Sequence, residues 1–252
     1  MKIKKFVLGV LIIVCICAMP GYRQALQIAA KLSVPMTLVI DPGHGGPDSG
    51  AVASDGTVEK NINLAISQAL KKEAEKYGVR VVLTRDSDAG LYAEDNNSGR
   101  WLKLGDLKER KRIIDEAAPD LMISIHLNSF QQDSKVKGAQ VFYPKNGTEE
   151  VSEENKTMAE KIQKSLTAGI NDGTDRIVLP KSDIYLFKNV DSNMVLVECG
   201  FLSNPEDLAN LKSEAFQQKL AKCIMDAIAD QYSLKIQKSH SNKVIASRTN
   251  NS

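Results

Sequence analysis

The chain has 252 residues, of which 42% are hydrophobic and 25% are charged. These values are typical of a globular protein, and the length allows one sizeable core without requiring a second domain. The formal net charge of +2 is too small to indicate binding to nucleic acid or to an anionic membrane surface.

The amino terminus has the pattern of an export signal. Three lysines within residues 1–5 precede an apolar run over residues 6–19, which is followed by Pro20 and Gly21. This pattern is typical of a signal peptide and is shorter than the ~20 apolar residues of a membrane-spanning helix. No clean small-x-small cleavage site is present, so residues 1–19 are interpreted as either a cleaved signal peptide or an N-terminal membrane anchor. Both interpretations predict that the rest of the chain is exported.

Composition divides the rest of the chain into three parts. Residues 20–35 are predicted to be a linker, residues 36–234 a single folded domain, and residues 235–252, rich in Lys, Ser and Asn, a disordered polar tail. Only two cysteines, Cys199 and Cys223, lie in the folded part. They are predicted to be buried free thiols, although a disulfide in an oxidising compartment remains open.

Apolar strands and amphipathic helices are predicted to alternate along the folded part. Strands are predicted over residues 36–41, 79–84, 121–125, 138–143, 184–187 and 194–197, and helices over residues 57–77, 106–118, 150–170 and 213–232. The second helix is predicted to open with a capping box at Asp106–Glu109. This order predicts an α/β fold of three layers, in which a largely parallel central sheet is flanked by helices.

Residues 85–105 are predicted to form a long polar loop before the second helix. Loops of this length are usually functional or disordered. The segment contains the only tryptophan, Trp101, which would suit stacking on a sugar ring but could equally anchor its own loop.

Three predicted strands are followed by a residue that can bind a metal or move a proton: His44, His126 and Glu198. Because the carboxyl ends of parallel strands meet at one edge of a sheet, these side chains are expected to lie together there, with Glu59 from the first turn of the first helix. Two imidazoles and one carboxylate can hold zinc with a fourth position open for water. A second carboxylate can take the proton of that water. Spacing alone does not decide which carboxylate is the ligand and which is the base.

Each of these residues also has a structural alternative. A loop histidine is commonly a solvated surface residue, and Glu59 could merely complement the helix dipole. The recurrence of the arrangement at three strand ends favours the metal site. Two further acids lie near the first histidine: Asp41 is predicted to tie down the turn through backbone hydrogen bonds, and Asp48 to cap or orient a metal-binding histidine.

Five motifs resemble those of the zinc-dependent N-acetylmuramoyl-L-alanine amidases of the Amidase_3 type. They are Leu38–Val52 (LVIDPGHGGPDSGAV), Glu59-Lys60-Asn61, Thr84-Arg85-Asp86, Ser124–Ser129 (SIHLNS) and Val197–Asn204 (VECGFLSN). The resemblance implies that residues 36–234 are a catalytic domain that cleaves the amide between the lactyl group of N-acetylmuramic acid and L-alanine in peptidoglycan. It also implies that His44, Glu59 and His126 bind Zn²⁺ and that Glu198 is the catalytic acid/base.

The segment 91–112 is similar to that of the sporulation-specific members of this family, and no cell-wall-binding repeats are found. This resemblance implies removal of peptide stems from spore cortex in the space around the forespore, in cooperation with a muramic acid deacetylase that forms muramic-δ-lactam for germination. Relatives in some anaerobes use an accessory lipoprotein, and the glycine-rich turn at His44 and the long segment 85–105 could need such help. We therefore hypothesise that the isolated protein binds zinc weakly and that a partner orders its site.

Two other functions remain open on the sequence. One is a catalytically silent peptidoglycan-binding or regulatory module of the same fold. The other is a zinc sugar deacetylase, which would normally place an aspartate beside its histidine ligands.

Overall fold

The described part of the protein, in a computed structural model, comprises residues 35–91, 99–145 and 148–237. Six strands form one sheet with the order β2-β1-β3-β6-β4-β5. The strands are β1 (Thr37–Pro42), β2 (Arg80–Leu83), β3 (Leu121–Asn128), β4 (Gln140–Pro144), β5 (Leu179–Lys181) and β6 (Met194–Phe201). Strand β4 is antiparallel to β6, and every other neighbouring pair is parallel. The predicted α/β fold with a largely parallel sheet is confirmed.

Helices cover both faces of this sheet. They are α1 (Glu59–Glu75), α2 (Gly99–Ala117), α3 (Glu149–Ile170), α4 (Tyr185–Asn189), α5 (Pro205–Leu211) and α6 (Glu214–Gln231). Helix α6 packs against both α1 and α3 on one face. On the other face, α2 and α4 cover an apolar cluster that includes Val39, Met122 and Leu196 from three neighbouring strands. Within the described residues, none of the helices has the combination of length and hydropathy that a membrane span requires.

The alternation of side chains along the strands places the polar residues of the sheet on the α2 and α4 side. Side chains two residues apart share a face of a strand. Met122 is therefore followed on its face by Ser124 and His126, and Leu196 by Glu198. The apolar cluster thus continues into a polar patch at the carboxyl ends of the strands.

Three local predictions are wrong. Helix α2 begins at Gly99, so residues 99–105 are helical instead of part of a loop. The predicted capping box also fails, because Asp106 is an internal residue whose carboxylate accepts hydrogen bonds from the Leu91 amide and from Arg110. Residues 184–187 do not form a strand, because Ile184 is the N-cap residue of α4 and the next three residues belong to that helix. The edge strand beside β4 is β5. A four-residue apolar run does not distinguish a strand from a buried helical turn.

Helix α5 was not predicted from the sequence although its signals were present. Asn204 caps the helix by accepting hydrogen bonds from the amides of Glu206 and Asp207, and Pro205 lies in the first turn. This combination is typical of a helix start. Both predicted free thiols are confirmed, since Cys199 and Cys223 are buried and unpaired.

Several predictions fall outside the described residues. These are the signal or anchor at 1–19, the linker at 20–35 apart from Pro35, and the tail at 235–252 beyond Gln237. The side chain of Trp101 is also outside them, although its backbone belongs to α2.

Candidate metal centre

Two adjacent parallel strands place a histidine and a carboxylate side by side. His126 of β3 is the register partner of Glu198 of β6, and the register shifts between His126 and Asn128. The Oε2 atom of Glu198 is buried and has no hydrogen-bond partner among the described residues. An unsatisfied carboxylate oxygen at a strand end is costly for folding and is commonly explained by a ligand or a reacting group.

The second histidine comes from the turn after β1. His44 has a φ of +63°, which is uncommon for a residue with a side chain. The turn closes through paired backbone hydrogen bonds between Gly45 and Asp48, of 3.0 and 3.1 Å. The Asp48 carboxylate lies 2.9 Å from His44 Nδ1, so it orients the imidazole as the sequence predicts. A Cβ atom on Gly43 would lie 2.2 Å from the His126 ring, so that position requires glycine.

Glu59 joins the two histidines. It is the first residue of α1 and is only 3% exposed. Its Oε1 atom lies 3.3 Å from His44 Nε2 and 3.0 Å from His126 Nδ1, while Oε2 accepts a hydrogen bond of 2.8 Å from the Ala51 amide. An acid that only complemented the helix dipole would not need these contacts, so they argue against that alternative for Glu59.

The donor set fits a metal ion. Ligand atoms from His44, Glu59 and His126 all lie within 4.8 Å of one another. Ligands at zinc–ligand distances of about 2.0–2.1 Å in a tetrahedron are about 3.3 Å apart, close to the 3.3 and 3.0 Å between Glu59 Oε1 and the two histidine nitrogens. Two imidazoles and one carboxylate form the donor set of several catalytic zinc sites, in which the fourth position stays open. These three side chains could therefore hold a divalent ion such as Zn²⁺.

The environments of the two carboxylates shift their pKa values in opposite directions. Burial would raise the pKa of Glu59, but hydrogen bonds and charges from His126 and His44 outweigh it and hold that pKa well below its usual range. Burial raises the pKa of Glu198, the charge of His126 opposes this, and the charge of Glu59 adds to it. Two carboxyl groups whose pKa values are shifted in opposite directions are suited to different tasks, one as a permanent anion and one as a proton carrier.

The prediction that Asp41 ties the turn through backbone hydrogen bonds is wrong. Its carboxylate instead accepts hydrogen bonds from Thr84 Oγ1 at 2.6 Å and from Ser124 Oγ at 2.7 Å, and it forms an ion pair with Arg110 at 2.5 Å. Burial opposes ionisation of Asp41, but Arg110 and the two hydroxyl groups outweigh it and lower its pKa. Asp41 therefore fixes an arginine, and the arginine holds the turn.

Two arginines bind consecutive carbonyl oxygens of the His44 turn. Arg85 Nε donates to the Pro42 carbonyl at 2.9 Å, and its NH2 group donates to the Gly43 carbonyl at 3.0 Å. Arg110 donates to the Pro42 carbonyl at 2.8 Å and to the His44 carbonyl. Both guanidinium groups lie in the interior, with Arg85 and Arg110 3% and 2% exposed. Their charges face three carbonyl dipoles, which stabilises the left-handed backbone of His44.

Sequence reasoning missed these two roles. In the sequence, Arg85 is one residue of a family motif and Arg110 lies within the segment 91–112. One available signal was the place of Thr84-Arg85-Asp86 after a predicted strand, at the same sheet edge as His44. The position of Arg110 on α2 carries no such signal, because its partners Asp41, Pro42 and His44 are 66 to 69 residues away along the chain.

An open cavity of about 270 Å³ borders the candidate metal centre. His44, His126 and Glu198 line it, and Lys181 of β5 lines it as well. An apolar wall of the same cavity is formed by residues from α4 and just before it, namely Ile184, Tyr185, Leu186 and Phe187. The cavity therefore offers apolar contacts beside groups that can polarise and protonate a substrate.

A largely parallel sheet that carries a two-histidine, one-glutamate donor set beside a free carboxylate offers the groups that hydrolases with a bound metal ion use. Residues 38–230 match the family model of the N-acetylmuramoyl-L-alanine amidases, Amidase_3. The chain therefore belongs to this family of enzymes, and the resemblance inferred from its motifs is confirmed.

Individual relatives agree with this assignment. The germination-specific N-acetylmuramoyl-L-alanine amidase of Bacillus subtilis is 35% identical over 199 residues, which are 78% of this chain and 81% of the relative. The CwlD amidase from Clostridioides difficile, solved in complex with the GerS lipoprotein, is 40% identical with a TM-score of 0.74, covering 79% of this chain and 98% of that one. The amidase AmiC2 of Nostoc punctiforme is 29% identical with a TM-score of 0.65, covering 79% and 97%.

Proposed function

We propose that this amidase hydrolyses the amide between N-acetylmuramic acid and L-alanine with a bound zinc ion held by His44, Glu59 and His126, and with Glu198 as the catalytic acid/base. One observation carries the proposal: three metal donors converge beside a buried carboxylate oxygen that has no other partner among the described residues. The contacts of the two carboxylates support this division of roles, because Glu59 contacts both histidines whereas Oε2 of Glu198 has no hydrogen-bond partner among the described residues.

The residues divide the chemistry between them. A bound zinc ion would polarise the amide carbonyl and lower the pKa of a water molecule. Glu198 would accept the proton of the attacking water at Oε2 and deliver it to the nitrogen of L-alanine, which leaves as an amine. Glu59 would remain ionised because its pKa is held low, and Asp48 would keep His44 Nε2 directed at the site. The wall formed by α4 would limit the access of bulk water to the reacting groups.

The biological setting that we propose is the spore cortex. A germination-specific amidase and the CwlD amidase are among the similar proteins, which supports a role in germination. Removal of stem peptides would expose muramic acid for a deacetylase that forms muramic-δ-lactam. In this proposal residues 36–234 are the catalytic domain, residues 1–19 export or anchor it outside the cytoplasm, residues 20–35 link the two, and residues 235–252 are a polar tail.

An accessory lipoprotein is proposed as a partner. The CwlD amidase was solved with the GerS lipoprotein, which supports a similar arrangement for this chain. The strained backbone at His44 supports the idea that a partner strengthens zinc binding, since coupling of metal binding to loop order is general. Zinc stoichiometry of the purified protein is the test. One tightly held zinc per chain with full activity alone would refute the need for a partner.

Mass spectrometry of digested peptidoglycan tests the activity. The proposal predicts the release of intact stem peptides that begin with L-alanine. Unchanged muropeptides would indicate a silent binding module, and loss of acetyl groups with retained stems would indicate a sugar deacetylase.

A further inference from the structure

The cations around the catalytic cavity differ in whether a carboxylate neutralises them. Arg110 is paired with Asp41 and also binds Asp106, and Lys103 lies 3.4 Å from Asp48. Lys181 lines the same cavity but has no carboxylate within 4.0 Å in the part of the chain that the structure describes. Its ammonium group therefore forms no ion pair among the described residues and keeps free hydrogen-bond donors, and its charge opposes the rise in the pKa of Glu198.

The position of Lys181 is nevertheless fixed. Its backbone belongs to β5 in register with Pro144 of β4, and its carbonyl accepts a hydrogen bond of 3.0 Å from the Lys145 amide. Its Nζ atom lies 4.2 Å from the centre of the Phe142 ring. A cation–π contact of this kind holds the ammonium group in place while it leaves the N–H donors free for an anion. Lys181 is thus a positioned cation that shares a cavity with Glu198.

The substrate carries an anion on the side of the leaving group. The bond that is cleaved has L-alanine on that side, and the next stem residue is a glutamate joined through its γ-carboxyl group. Its α-carboxylate is then the first ionised group beyond the scissile amide, one residue or about 3.3–3.6 Å of chain further along. Some peptidoglycans carry an amide at this position, so the charge is a feature that an enzyme can select.

We propose that Lys181 binds this α-carboxylate and selects stem peptides in which it is free. The inference rests on the proposed amidase activity and deepens it by naming a determinant of substrate choice. The ammonium group would form a charge-assisted hydrogen bond with the carboxylate, which is stronger than a bond between neutral partners. The contact would orient the leaving L-alanine relative to Glu198.

The test combines two enzymes with two substrates. Wild-type protein and Lys181→Met, which keeps an apolar side chain on Phe142, are assayed on glycan strands whose stems carry the glutamate α-carboxylate either free or amidated. We expect kcat/KM of Lys181→Met to fall about tenfold or more on the free carboxylate and less than about threefold on the amide. Lys181→Arg should retain most of the discrimination. Lys188→Met, a change at an exposed lysine that lines a different cavity, is the matched control.

Two results would overturn the proposal. An equal loss on both substrates would show that Lys181 acts on Glu198 or on the fold instead of on the substrate anion. Equal activity of wild type and variant on both substrates would show that the lysine has no part in recognition. Failure of the wild-type enzyme to release stems from either substrate would instead contradict the proposed function itself, so the two failures are distinguishable.

Discussion

The two histidines of the candidate metal centre are held in different ways. His126 lies within β3, where the ladder to β6 fixes its backbone and sets it opposite Glu198. His44 lies outside the strands, in a left-handed turn whose carbonyl groups are bound by Arg85 and Arg110. Backbone ladders are insensitive to most side-chain changes, whereas this turn depends on two particular side chains that are distant in sequence. We therefore expect the His44 half of the site to be the more sensitive to substitutions elsewhere.

The largest effects are expected from removal of a metal donor. His44→Ala, Glu59→Ala and His126→Ala should each lose bound zinc and the release of stem peptides, because three protein ligands leave none to spare. Elemental analysis of the purified variants after equal dialysis measures the zinc content. Full zinc occupancy in Glu59→Ala would show that Glu59 is not a metal ligand and only complements the dipole of α1.

Glu198→Gln should separate catalysis from metal binding. The amide keeps the size of the side chain but cannot accept a proton, so activity should fall by about 10²–10⁴-fold or more while zinc stays bound. Stem release and zinc content are measured on the same preparation. A Gln variant that retains activity would contradict the assignment of Glu198 as the acid/base.

Arg110→Met tests the dependence of the turn on side chains. Loss of the contacts to Pro42 and His44 should weaken zinc binding by about 10–100-fold, the range found when groups that orient metal ligands are removed. Competition with a chelator of known affinity measures the change. Arg112→Met, a change on the same helix at an exposed residue whose ion pairs within the described part of the chain are with Glu109 and Glu116, is the control and should bind zinc as wild type does.

Arg110→Met also leaves the buried carboxylate of Asp41 without its cation, which alone could destabilise the fold by about 3–5 kcal/mol. The double variant Asp41→Asn/Arg110→Met removes both charges and restores part of that stability. If the double variant folds but still binds zinc weakly, the arginine acts on the turn. Recovery of wild-type zinc affinity would show that Arg110 matters only for stability.

The smallest effect concerns acid stability. Since the pKa of Asp41 is lower in the folded protein than its ordinary value of 3.8, ionised Asp41 stabilises the fold above that value, and the contribution is lost as the pH falls through the folded pKa. In metal-free protein, the difference in unfolding free energy between wild type and Asp41→Asn should therefore shrink between pH 6 and pH 3 as measured by urea unfolding at each pH. A difference that stays constant over this range would contradict the ion pair.

Local pattern was sufficient for most of the fold. The periods of 2 and 3.6 residues located five of the six strands and the long helices, and Gly78 with a φ of +70° ends the first helix region as glycine commonly does. The predicted ends of the strands were also sufficient to predict that His44, His126 and Glu198 lie at one edge of the sheet. These features depend on residues close in the chain or on the parallel order of the strands.

The remaining features depend on distant contacts. The antiparallel direction of β4 arises from its pairing with β6, more than fifty residues later, and α4 arises from packing against α2. The hydrogen-bond and ion-pair partners of Asp41 could not be inferred from the sequence, because backbone amides of its own turn are closer along the chain and could have served as donors instead. Sequence therefore predicted which residues meet at the site and that Asp48 orients His44, but not that Arg85 and Arg110 hold the His44 turn.

Zinc dependence of stem release tests the account most directly. Metal-depleted wild-type protein is mixed with peptidoglycan at increasing concentrations of free zinc, and released stem peptides are quantified by mass spectrometry. We predict no release without zinc and a saturable recovery that His126→Ala does not show at any concentration, whether the wild-type site binds zinc tightly or weakly. Release that continues in the metal-depleted protein, or a recovery in His126→Ala equal to that of wild type, would contradict the account.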